Sequence, residues 1–115
     1  IVSAYDNFQV YDNIYNMEEL YKQSSFAIGA PGFSQLERIE YRIPSILIAQ
    51  NKTQQKLLNY WKSSGCALVV KNIETELKKN LFNLISSNKV KSNINKSFDY
   101  NGAKRIYKNI KTFLK

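Results

Sequence analysis

Glycine, serine and carboxylate side chains lie close together in Gly29-Ala-Pro-Gly-Phe-Ser-Gln-Leu-Glu37, and their spacing suits the binding of a phosphate group. Phe26, Ala27 and Ile28 read as a short strand entering this stretch. Gly29 and Gly32 permit a tight backbone turn, and Ser34 can cap a helix that carries Glu37. A helix starting there offers backbone N–H groups without intrahelical acceptors and the positive end of its dipole, a favourable place for a diphosphate. The same residues admit a purely structural reading. Ser34-x-x-Glu37 is the pattern of a capping box, in which both side chains satisfy amides of the first helical turn.

The rest of the composition narrows the chemistry. The 115 residues contain no histidine, so the chain has no imidazole general base, no Ser-His-Asp triad and no histidine-rich metal site. The lone Cys66 has no internal disulfide partner. Between Gly65 and the apolar run Ala67, Leu68, Val69, Val70 it reads as a small buried residue of a reducing, cytoplasmic compartment. Seventeen basic residues against nine acidic ones give a net charge of +8, but they are scattered and form no arginine-rich arm, which argues against nucleic acid as the main partner. No run has the apolar length of a transmembrane segment, and no basic-then-apolar leader is evident. With 43% hydrophobic residues the chain is expected to form one domain over 1–115 with a single core. Because it begins with Ile1, it is read as an excised piece of something larger.

The elements that must position the loop follow in order. Residues 1–12 alternate loosely and predict a strand with Phe8 and Val10 buried, and residues 13–15 predict a turn. Asn16 and Glu19 mark a helix start, with Met17, Leu20 and Tyr21 as its apolar stripe and an end near Ser24. The strand at 26–28, the loop, and a helix over about 35–41 stopped by Arg42 and Pro44 come next. Ser45-Ile-Leu-Ile-Ala49 is the continuous apolar run of a parallel strand covered on both faces. The polar segment 50–55 then opens a helix with Leu57, Leu58 and Trp61 facing inward and Gly65 as a left-handed cap. A strand over 67–70 leads to a helix over 73–86, capped by Asn72, with Ile73, Leu77, Leu81, Leu84 and Ile85 at helical spacing. A polar stretch over 86–97 precedes a last helix from Gly102 with Ala103, Ile106, Tyr107, Ile110 and Phe113 on one face.

Four strands alternating with helices predict an α/β, Rossmann-like three-layer domain with a parallel sheet. Ligands of such sheets lie beyond the carboxyl ends of the strands, where the segments 13–16, 29–34 and 50–55 are expected to meet.

Taken in this order, the segments resemble the C-terminal half of the GT-B fold in glycosyltransferases of family 28. The likeness is greatest to the branch of UDP-sugar hydrolases of pseudaminic acid biosynthesis and to spore-coat polysaccharide relatives. Asn16-Met-Glu-Glu-Leu-Tyr21 resembles the family's helix before the loop. Ser25-Phe-Ala-Ile-Gly-Ala30 resembles the strand entering its Gly-Ala-Gly-Gly-Ser-Thr-x-x-Glu signature, and Ile43-Pro-Ser-Ile-Leu-Ile48 its Leu-Pro-Ser strand. Gln54 precedes Gly65 as a family glutamine precedes a Gly-Ala/Cys turn, and Asp99-Tyr-Asn-Gly-Ala-Lys-Arg-Ile106 resembles the closing Asp-Gly-x-Gly-Ala-x-Arg-Val segment.

The resemblance implies a domain that binds the UDP half of a nucleotide sugar. Gly32, Phe33 and Ser34 would hold the diphosphate through backbone amides and one hydroxyl, and Glu37 would accept hydrogen bonds from the ribose. The backbone around Ile14 would meet uracil, and Gln54 with Gln55 would reach the sugar or diphosphate. It implies no catalytic residue, metal or cofactor within this chain; the base would come from a missing N-terminal domain, leaving the isolated chain inactive. Pro31 and Phe33 depart from the signature: the first removes a backbone donor, the second puts a large residue where a small one is usual. Asp99-Tyr-Asn-Gly also lacks the usual first glycine. Two other classes stay open on the residues alone, a non-catalytic interaction or receiver-like α/β module and a basic nucleic-acid-binding module.

Overall fold

A computed structural model describes residues 7–114 of the chain. Its elements are α1 (Glu18–Gln23), β1 (Ala27–Gly29), α2 (Phe33–Glu40), β2 (Ser45–Ile48), α3 (Lys52–Ser64), β3 (Leu68–Val70), α4 (Ile73–Ser86), α5 (Lys89–Ser97) and α6 (Gly102–Phe113). The three strands form one parallel sheet in the order β1-β2-β3. Ile46 is the shared register point, opposite Ile28 on one side and Leu68 on the other. The chain is therefore a mixed α/β domain in which α2 and α3 are the crossovers.

β2 is central because its residues tolerate burial on both faces. Ser45, Ile46 and Leu47 are fully buried, and the Ser45 hydroxyl, which would otherwise be orphaned there, donates to Ile43 O at 3.0 Å. Around β2 a single apolar cluster joins Ile39 of α2, Leu58 and Trp61 of α3, Leu84 of α4, and Val90 and Ile94 of α5. Cys66 is buried within it, as expected. Asn72 caps α4 as predicted, and Gly65 closes α3 in the left-handed region at φ 70°.

The structure corrects several expectations. Residues 7–12 form no strand, so the described sheet has three strands, not four; residues 1–6 of the predicted first strand lie outside the described residues. Phe8 and Val10 are exposed, because period-two alternation alone does not bury a side chain. Local bonds organise the segment instead: Tyr11 Oη donates to Gln9 Oε1, and Asn13 N donates to Asp12 Oδ1 while Asn13 adopts φ 55°. Tyr11 and Tyr15 are exposed as well.

The polar stretch after Ser86 is a helix, α5, that buries Val90 and Ile94 one turn apart. Leu57, Ile73 and Ile85, expected inside, are surface residues, and the apolar face of α6 has no buried member. β1 is an edge strand with Ile28 half exposed, so that end of the sheet is less covered than β2.

Candidate functional site

All three strands run parallel, so the starts of α2, α3 and α4 share the edge of the sheet where β1, β2 and β3 end. Two of those starts are closed by side chains. In α3, Asn51 Oδ1 accepts from Gln54 N at 2.9 Å while Gln54 Oε1 accepts from Gln50 N at 2.8 Å. In α4, Asn72 Oδ1 accepts from Glu74 N and Thr75 N. Glu76 Oε2 reaches back to Lys71 N at 2.8 Å, and this bond with a second from Asn72 N holds the Glu76 carboxyl below the usual carboxylate range.

The start of α2 is different. Gly32 is its N-cap and no side chain bonds to its first amides. Ser34 lies inside the helix, so the capping-box reading of Ser34 and Glu37 does not hold. Gln35 N bonds Gly32 O at 3.0 Å, while the amides of Gly32, Phe33 and Ser34 lack an intrahelical acceptor by position. A Cβ added at Gly32 would meet nothing within 4 Å, so the space over that residue is open. Pro31 is buried, whereas the Phe33 side chain is 88% exposed. With Pro31 and Gly32 of the loop and Leu36, Leu57 and Tyr60 it lines an apolar cleft of about 320 Å³.

Glu37 is exposed one turn further along, and its Oε2 accepts from Tyr21 Oη at 2.7 Å. Tyr21 also stacks on Tyr41 with ring centroids 5.3 Å apart, which fastens α1 to α2. Gln54 stands at the same sheet edge with its side-chain oxygen engaged in the α3 cap. Gln55 lines a neighbouring cleft of about 330 Å³ with Asn59 and Lys71. Ile14 lies at the surface ahead of α1, in a segment that follows no strand among the described residues. The loop residues and the two glutamines thus share one edge, whereas Ile14 precedes α1 in the chain.

Two residues beneath the loop were not legible as site residues. Arg38, only 7% exposed, donates from Nη2 to Ala30 O at 2.6 Å and from Nε to Gln35 Oε1 at 2.8 Å. Gly29 makes room for it, since a Cβ there would lie 2.4 Å from Arg38 Nη1. Burial lowers the pKa of this guanidinium, opposed by the nearby Tyr21 and Glu37. The available signal was the three-residue spacing of Gln35 and Arg38 beside Ile39, which puts all three on the inner face of α2.

Among the described residues there is no cluster of three or more Cys, Asp or Glu side chains suited to a metal ion. Nor is any described helix long and apolar enough to cross a membrane. No protein-family model matches the chain, and no curated protein or solved structure matches it.

Proposed function

We propose that this chain binds the diphosphate of a UDP-sugar at the Gly29–Ser34 loop. It would be the Rossmann-like, three-layer C-terminal half of a GT-B nucleotide-sugar hydrolase or glycosyltransferase in cytoplasmic steps of surface polysaccharide or pseudaminic acid-type biosynthesis. One observation carries the reading: of the three helix starts at the ligand-binding edge of the sheet, α2 alone has no side-chain cap and has open space above its glycine. Uncompensated amides and a helix dipole favour an anion there. Glu37 is one turn away with its second carboxylate oxygen available for the ribose hydroxyls. The resemblance supplies the uridine and the sugar.

In this reading the chain acts on the leaving group. As water, or an acceptor hydroxyl, attacks the anomeric carbon, the C–O bond to the diphosphate breaks and negative charge grows on UDP. The loop amides and the α2 dipole stabilise that charge. A base on the companion N-terminal domain takes the proton, since this chain has no histidine, so the isolated chain binds UDP with little turnover.

An amide NMR titration with UDP, with UMP and a short DNA duplex as comparisons, tests the proposal. Shifts confined to residues 13–16, 29–37 and 50–55, larger for UDP than for UMP, are expected. Absence of a UDP response, or a diffuse response to DNA over scattered lysines, would overturn it.

A further inference from the structure

A guanidinium as buried as that of Arg38 ordinarily has a carboxylate beside it, because an unpaired charge removed from water is costly. Arg38 has none. Among the described residues the ion pairs are Lys22 with Glu18 and Arg105 with Asp99. The neighbour that accepts from Arg38 Nε is the neutral amide of Gln35, which is itself completely buried, and Gln35 Nε2 has no hydrogen-bond partner. The donation from Arg38 fixes which end of the amide is oxygen, so the orphan is a donor. Two features that each destabilise the fold therefore stand side by side directly under the Gly29–Gly32 loop.

The arrangement has one physical advantage. Glutamate at position 35 would have nearly the same shape, would accept from Arg38 Nε, and would remove the unpartnered donor. It would also neutralise Arg38. With glutamine there the positive charge has no directly bonded carboxylate, and it is held against the backbone by Nη2 on Ala30 O in the space that the missing side chain of Gly29 leaves. This low-dielectric position strengthens its field at the start of α2.

We propose that Gln35 and Arg38 are a buried positioning pair: Arg38 shapes the Gly29–Gly32 loop and supplies the fixed positive charge for a polyanionic phosphoryl ligand, and Gln35 keeps that charge unneutralised. The inference rests on the phosphate-binding reading of the loop and deepens it, because it makes ligand charge, rather than the nucleoside, the quantity the site measures.

Gln35→Glu is the discriminating variant, since it keeps the shape and completes the missing ion pair. Thermal unfolding is measured together with binding of inorganic pyrophosphate, UDP and uridine by calorimetry or NMR. The expected result is a raised unfolding temperature with pyrophosphate and UDP binding at least tenfold weaker, and uridine unchanged. A structural role alone would move stability and binding in the same direction. Arg38→Lys, which keeps the charge, is expected to retain pyrophosphate affinity better than Arg38→Met. Gln35→Glu binding pyrophosphate as tightly as wild type would overturn the inference, as would equal losses in Arg38→Lys and Arg38→Met. Wild-type binding of pyrophosphate with no preference for UDP would sink the UDP-sugar assignment alone and leave the charge pair standing.

Discussion

Tyr21 and Glu37, sixteen positions apart, meet through a 2.7 Å hydrogen bond from the phenol to Oε2, and this contact joins the short helix α1 to the helix that carries the candidate phosphate loop. α1 has no buried residue of its own, so it depends on such contacts for its placement. The bond also occupies one of the two Glu37 oxygens, and so limits how a ribose could be received.

Replacing Tyr21 by Phe is expected to cost about 0.5–1 kcal/mol, the lower part of the range for a single hydrogen bond because the carboxylate is exposed. The variant also has a pH signature. Burial first, then the bond to Glu37 and its charge, raises the Tyr21 phenol above its ordinary value. The folded chain therefore holds that proton more tightly than the unfolded chain. The stabilisation is complete below the unfolded tyrosine value and is lost as pH rises through the native one. Thermal midpoints followed into alkali should fall more steeply for wild type than for Tyr21→Phe; parallel curves would mean that the contact does not form in solution.

The open start of α2 makes a contrasting prediction for two polar residues at the same sheet edge. Asn51→Ala removes an observed cap and should destabilise the fold by about 0.5–2 kcal/mol. Ser34→Ala removes none, so its stability should lie within about 0.5 kcal/mol of wild type, while UDP affinity falls by roughly two- to tenfold for one lost hydrogen bond. Denaturant unfolding and UDP titration on the two variants separate the roles. Substantial destabilisation by Ser34→Ala would restore the capping-box reading.

How far the fold and site could be read from sequence depends on whether the deciding signal was local. Asn72 ahead of a helical run to Ser86, Gly65 after the α3 pattern, and the apolar run of β2 each carry their own instruction, and the structure follows them. α5 has only Val90 and Ile94 in an otherwise polar stretch. Its two apolar side chains join the core cluster that also holds Trp61 and Leu84, and no local pattern reveals that burial. Phe8 and Val10 show the reverse case, an alternation whose apolar members stay exposed. At the loop, glycine spacing pointed to a turn with free amides. For Gln35 and Arg38 the deciding feature is not local: the guanidinium lies in the space that Gly29, nine positions earlier, leaves open.

Gly65 ties the end of α3 to α5 in a way that can be tested directly. Its φ of 70° is strained for any residue with a side chain, and an added Cβ would lie 2.6 Å from Asn93 Nδ2, the atom that donates to Gly65 O at 3.0 Å. Gly65→Ala therefore combines backbone strain with a clash, and should cost at least about 1 kcal/mol. Asn93→Ala alone loses the bond that holds α5 over the cap, a smaller effect of about 0.5–1.5 kcal/mol. The two changes share one contact, so they should not add. In the Asn93→Ala background the cost of Gly65→Ala should shrink toward the strain component, giving a coupling of about 0.5 kcal/mol or more in a double-mutant cycle. Strict additivity in denaturant unfolding would mean that Asn93 yields freely to the new methyl group, and that the left-handed backbone alone is the reason glycine stands at the end of α3.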